Sequence, residues 1–253
     1  MRNVIAIAQK ELRSYFASPI AYILIGFFAL PFGAFFYLYV NAFVRQGMQM
    51  AQFGGAMNVN QFVIRNVLQN AAVIILFVMP MITMRTYSEE KRSGTIELLL
   101  TSPVSNVEII LGKFFGALGV YLAMLLVTAL YVGLLFHYGN PEWRPIVAGY
   151  LGLVLMGGGI IALGLFISST TNNQIVAGVV TFIVFLLLWI IGWFADSVGP
   201  TAGSIVQYLS VTEHLDDFSK GIIDTKHVIY YLSLITFGLF LTAKSVDSDR
   251  WRG

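Results

Sequence analysis

The ionisable side chains of this chain gather most densely in residues 86–105, TYSEEKRSGTIELLLTSPVS. Glu89 and Glu90 stand directly before Lys91 and Arg92, and Glu97 follows within a run of leucines. Acids and bases set side by side in this way can fix the orientation of a docked surface. Signals for bond-making chemistry are weaker elsewhere. Gly112-Lys113 lacks the following hydroxyl and the upstream glycine of a phosphate-binding loop, so no nucleotide is expected to bind by that route. There is no cysteine, hence no thiolate and no disulfide framework. No paired-acid or Ser/His/Asp constellation stands out. The three histidines are scattered, which argues against a metal site. His137 and His227 read as interfacial residues at span ends.

The elements that must hold this charged stretch are apolar. Of 253 residues, 57% are hydrophobic and 11% charged, less than half the roughly 25% of soluble domains. Such a chain has the bilayer as its solvent. A net charge of +2 is too small to suggest a nucleic-acid partner. A hydrocarbon core of about 30 Å needs about 20 apolar residues in a helix. Six segments answer to that: residues 20–40, 67–84, 114–136, 146–167, 175–195 and 228–243. Their continuous runs favour helices over a barrel. The first begins too late and runs too long for a cleavable leader and reads as a retained span. Pro31 and Pro80 fall inside the first two spans and are expected to kink them. No Asp, Glu, Lys or Arg lies in the six cores, which speaks against an ion-driven carrier but leaves a channel open.

Six spans put both termini on one side. Arg2, Lys10, Arg13, Arg85, Lys91, Arg92, Lys113, Lys244, Arg250 and Arg252 lie on that side, against Arg45, Arg65, Arg144, Lys220 and Lys226 on the other. The bias places the termini and residues 86–105 in the cytoplasm. Ahead of the first span, Ile5, Ala8, Leu12 and Tyr15/Phe16 form a helical stripe, with Lys10, Glu11 and Arg13 off it. An amphipathic helix along the inner leaflet fits, either as a plain anchor or as a brace. Residues 196–226 predict a short amphipathic helix on the outer side, with Ile205, Tyr208/Leu209, Leu215, Phe218 and Ile222 on one stripe. Gly112, Gly116 and Gly119, and Gly157, Gly158, Gly159 and Gly164, are small-residue clusters suited to tight packing or a dimer seam.

Within the charged loop, Ser93-Gly94 should break the helix, because glycine costs about 1 kcal/mol in a helix interior. Residues 95–101, TIELLLT, then form a short helix that ends at Ser102-Pro103. Ser105-x-x-Glu108 is a capping box that starts the next helix. A short apolar helix in this position either lies on lipid or enters a groove on a soluble partner.

The run EEKRSGTIELLLTSPVSNVEIILGK resembles the signature of ABC-2 type transporter permeases, through Glu89, Glu90, Lys91, Gly94, Thr95, Glu97, Leu98, Leu99, Pro103, Ser105, Glu108, Gly112 and Lys113. The N-terminal QKELRSYFASP, the six spans and the outer segment extend the likeness over most of the chain. The stretch YLSVTEHLDDFSKGIIDTKHVIYYLS is similar to the gliding-motility (GldF-like) and NosY-like branch, at His214, Phe218, Gly221 and Asp224. The resemblance implies an all-α polytopic fold with an N-terminal interfacial helix, a cytoplasmic coupling helix and a short outer helical segment. It implies that residues 89–101 dock on a separate ATPase subunit, which carries the ATP and magnesium, and that Lys10, Glu11 and Arg13 brace the interface. A second permease chain would complete the pathway, as a homodimer or as a sister subunit with a large periplasmic domain. His214, Phe218, Gly221 and Asp224 would belong to an outer gate or partner segment. The expected function is ATP-driven export across a bacterial inner membrane. The alternatives are a non-transporting platform that passes motion to a periplasmic partner, or a channel.

Overall fold

The structure, a computed structural model, describes residues 2–52, 57–100, 103–197 and 199–250. Those residues fold as helices, with no strand among them. Six helical stretches are long and apolar enough to cross a membrane: Pro19–Met50, Asn60–Ser93, Asn106–Tyr138, Trp143–Thr170, Gln174–Ala195 and Thr225–Ser248. Each expected apolar core lies inside one of them. The helices outrun those cores because helix formation continues through polar flanks once the first turns exist. The first long helix, α2 (Pro19–Gln52), follows α1 (Arg2–Ala17) and runs through Pro31. A π-helical turn, Asn60–Ile64, feeds α3 (Arg65–Thr83), which contains Pro80. The short α4 (Ser88–Ser93) and α5 (Thr95–Leu100) come next, then α6 (Asn106–Tyr138), α7 (Trp143–Thr170) and α8 (Gln174–Ile190). A 3-10 turn, Ile191–Ser197, leads to α9 (Pro200–Leu209), α10 (Val211–Ser219) and α11 (Thr225–Arg250).

The second and fourth spans form the centre, with 67% and 72% of their apolar windows buried inside the chain, against 17–33% for the other four. The glycines of α7 explain its position. A β-carbon at Gly157 would strike the Tyr121 ring of α6, one at Gly159 would sit 2.7 Å from Leu234 of α11, and one at Gly164 would strike Thr83 of α3. Three neighbours therefore approach the α7 backbone directly. Tyr121 uses its place to donate to the Leu153 carbonyl, 2.8 Å away. Both glycine clusters are thus filled from within the chain.

The bundle has two faces. The terminal face carries α1, α4, α5, the start of α6 and the end of α11. The far face carries the α6–α7 turn, α9 and α10. At the far face the Asn60 amide brackets the backbone of Glu142, donating to its carbonyl at 2.7 Å and accepting from its N–H at 2.9 Å.

Two expectations about amphipathic elements need correction. In α1 the packed face is rotated: Ile5 is exposed, and Ile7, Ala8, Glu11 and Leu12 lie against α6. Glu11 therefore belongs to the buried side. The outer segment is two helices, broken where Ser210 takes an extended conformation. Val211, His214, Leu215 and Phe218 are buried, whereas Ile205, Tyr208, Leu209 and Ile222 are exposed. The break re-aims the second helix, so one continuous stripe does not exist. After it, Gly221 has φ +87° beside Pro145, a conformation and a space that favour glycine.

Candidate functional site

The charged stretch is positioned by the three glycines at the start of α6. A β-carbon at Gly112 would be 2.6 Å from that of Ile7, one at Gly116 2.6 Å from that of Glu11, and one at Gly119 2.9 Å from Leu12. Their absence lets α1 lie directly on α6. Tyr15 fixes the other end of α1 by donating to the Ile82 carbonyl of α3 at 2.6 Å, and burial pushes its phenol up to about 12. Asn3 reaches Glu108 at 3.2 Å, and Glu108 completes the capping box with Ser105 that begins α6.

The break between α3 and α4 is held from outside. No side chain of α4 caps its own start. Instead Ser168 of α7 accepts from the backbone N–H groups of Tyr87 and Ser88, both at 3.1 Å, and donates to the Met84 carbonyl at 3.1 Å. One hydroxyl thereby satisfies helix-end groups that burial would otherwise leave costly. At the other end Gly94 closes α4 in the left-handed region, φ +72°. This is the break expected at Ser93-Gly94.

Lys113 joins these pieces. It lies two turns inside α6, the helix that the Ser105 and Glu108 box begins, and is 1% exposed. Its position just ahead of the apolar core of residues 114–136 did not show that it is buried; the packing of α1 and α4 on α6 encloses it. Its ammonium nitrogen is 2.8 Å from Glu90 Oε1, 2.9 Å from the Thr86 carbonyl oxygen and 3.3 Å from Glu11 Oε1. The Tyr87 ring centroid lies 4.9 Å away. Lys10, at the edge, stands 3.5 Å from both Glu11 and Glu90. Burial lowers its proton affinity, but the two carboxylates outweigh that and hold it raised. Two cations and two anions thus form a neutral cluster that ties α1, α4 and α6 together. A buried charge is tolerated only when so paired.

The expected site residues divide accordingly. Glu90 faces inward to Lys113, and Glu89 forms a two-pronged pair with Arg85 at 2.9 and 3.3 Å. Lys91 is half-buried, and Arg92, Gly94, Thr95 and Glu97 are exposed. Thr95 Oγ1 meets Ser93 Oγ at 2.9 Å across the Gly94 turn. Leu98 and Leu99 lie on α5, but their side chains are outside the described residues, as are Thr101 and Ser102. Lys10 and Glu11 join the cluster, whereas Arg13 is exposed. At the far face, His214 is buried against Tyr230 of α11 and Phe218 against Gly152 of α7, Gly221 turns the chain, and Asp224 accepts from the Lys226 N–H at 3.0 Å at the start of α11.

Sequence reasoning missed Lys113 and Ser168 as members of the terminal cluster. The Gly112-Lys113 pair carried a signal; Ser168 carried none, because its partners lie some 80 residues away. Sequence reasoning also treated the histidines as scattered, yet the fold brings His214 and His227 together. Among the described residues no group of three or more potential ligands is placed to hold a metal ion.

What the arrangement can do is mechanical. A short two-helix hook, α4–α5, stands on the terminal face with exposed charge, and its root is bolted to α1, α6 and α7. A family model described as ABC-2 family transporter protein matches residues 42–212, more than half of the chain, from the far half of α2 to the start of α10. No curated protein matches the chain.

Proposed function

The chain belongs to the ABC-2 family of transporter proteins, and from that membership we propose that it is the membrane subunit on which a separate ATPase docks to drive export. The reading rests on one observation: Lys113 links the root of the α4–α5 hook to α1 and α6. In this reading α4–α5 is the coupling element, and α1 is its brace through Lys10 and Glu11. Glu97, Arg92 and the leucines of α5 meet the ATPase, which holds the ATP and magnesium. The bias of Lys and Arg toward the terminal face supports a cytoplasmic position for that face, in a bacterial inner membrane. A second permease chain completes the complex, and His214, Phe218, Gly221 and Asp224 support a place in the gliding-motility-like branch.

The test is co-purification with the ATPase, using Glu97→Arg and Leu99→Asp. These change α5 and leave the Lys113 cluster intact. Both variants should reach the membrane at wild-type yield but lose ATPase retention and stimulated turnover by at least about tenfold, a loss of 1.4 kcal/mol. Variants that keep both would show that α5 is a lipid-lying segment.

A further inference from the structure

Two of the three histidines face each other where α10 meets the start of α11, and both are buried. His214 Nδ1 lies 2.6 Å from His227 Nδ1. The other nitrogen of each ring is already committed. His214 Nε2 is 2.8 Å from the Tyr208 carbonyl oxygen, which can only accept, so that nitrogen carries a hydrogen. His227 Nε2 is 2.8 Å from Asp217 Oδ2, a carboxylate oxygen, so it carries one too. A neutral imidazole has a single N–H. With both hydrogens pointing outward, two neutral rings would aim bare lone pairs at each other. A third hydrogen removes that repulsion, because one ring is then an imidazolium whose Nδ1–H donates to the other.

We infer that His214 and His227 form a binding site for one proton, shared between their Nδ1 atoms, and that its occupancy pins α10 to the start of α11.

The surroundings fit one positive charge. Asp217 on α10 is the counter-ion. Burial pushes its carboxyl up, but hydrogen bonds from His227 and Lys220 and their charges outweigh that and hold it lowered, so it is ionised. The other charges facing the site have partners of their own. Glu213 on α10 accepts from Gln207 of α9 at 3.4 Å. Asp216 is held by Lys220 and by Arg65 of α3. Lys226 on α11 pairs with Asp224 at 3.3 Å. Burial lowers the proton affinity of His214, and the charges of His227 and Lys226 add to that; the bond to the Tyr208 carbonyl and the Asp217 charge raise it but do not outweigh them.

The joint is built around the pair. The Tyr230 ring of α11 stacks on His214 at 3.8 Å, and Tyr208 of α9 meets it edge-on at 5.2 Å. Tyr230 and Tyr231 donate to the carbonyls of Leu209 and Val211, on either side of the Ser210 break, each at 2.8 Å. A cleft of about 400 Å³ lined by both histidines, Lys220 and Lys226 gives solvent a path to the site. Protons can therefore exchange without unfolding. The contact exists in one protonation state only. A second proton sets two N–H groups against each other, and loss of the shared proton sets two lone pairs against each other.

The test uses the full chain in nanodiscs with ¹⁵N-labelled histidine, followed by NMR from about pH 4 to about pH 9. His137, exposed at the end of α6 and far from the pair, is the internal reference for the label. The pair should titrate in two steps at least about two pH units apart, with one proton retained between them. Amide exchange in α10 should be slowest in that window and faster on either side. Asp217→Asn removes the counter-charge and should lower the upper step by about 1–3 pH units, leaving His137 unmoved. Two independent single steps with no coupling between the rings, or a pair neutral across the whole range, would overturn the proposal. So would an upper step that Asp217→Asn leaves in place.

Discussion

Replacing Lys113 by methionine keeps a long side chain at the start of α6 and deletes the buried charge. Glu11 and Glu90, 12% and 17% exposed, would then lose their closest cation. Lys10 remains 3.5 Å from both, but it is 64% exposed, so solvent screens much of its field. Removing one partner of a buried ion pair costs about 3–5 kcal/mol, because the other is left uncompensated. Lys10 argues for the lower end, about 3 kcal/mol. In a chain of this size about 1 kcal/mol moves the melting temperature by about 2–4 °C, so Lys113→Met should melt about 6–12 °C below wild type. Thermal unfolding in nanodiscs, followed by tryptophan fluorescence, measures it. A triple variant, Lys113→Met with Glu11→Gln and Glu90→Gln, should recover most of the loss, since no charge is then stranded. Lys10→Met should stay within about 1 kcal/mol of wild type. A Lys113→Met protein that melts within about 2 °C of wild type would refute the reasoning. So would a triple variant as unstable as the single one, because stranded charge would then not be the cause.

Other consequences can be checked in the same way. Ser168→Ala should destabilise by about 2 kcal/mol, because the Tyr87 and Ser88 N–H groups lose their acceptor; thermal unfolding reads the loss, and faster amide exchange in α4 locates it. Tyr87→Phe should stabilise by about 1 kcal/mol, seen as a higher melting temperature. Its hydroxyl is buried with no partner, while its ring stays over Lys113. Asp216 is buried enough to be pushed up, but Lys220 and Arg65 hold it below the usual carboxylate range. Its folded affinity for a proton is therefore lower than its unfolded one. The stability it supplies is complete above the unfolded value of about 3.9 and is lost as pH falls through the lower folded value. Amide exchange in α10 should accelerate in that acid range, and Asp216→Asn should remove the acceleration.

Much of the architecture was legible because it follows from local terms. Transfer of apolar residues into hydrocarbon depends on composition along the chain, so the six spans could be counted from the sequence. The break at Gly94 and the box of Ser105 with Glu108 are set by residues within a turn of each other. Periodicity showed that α1 is an amphipathic helix but missed its packed side. The stripe through Ile5 counted hydrophobicity alone, whereas the glycines of α6 admit Glu11, whose charge Lys113 answers.

What the sequence determined by itself is therefore the number of spans, the helical character of the connecting pieces and the motif that marks the hook. Tertiary structure decided which charges are buried and what they meet. Lys113 and Glu11 are 102 residues apart, and Ser168 and Ser88 are 80 apart. His214 and His227 are only 13 apart, yet their meeting needs the turn at Gly221 to bring the start of α11 back against α10. Hydropathy treats each of these residues as a polar cost to be kept near water. Helix packing instead supplies a partner at hydrogen-bond distance, and the identity of that partner depends on which helices touch.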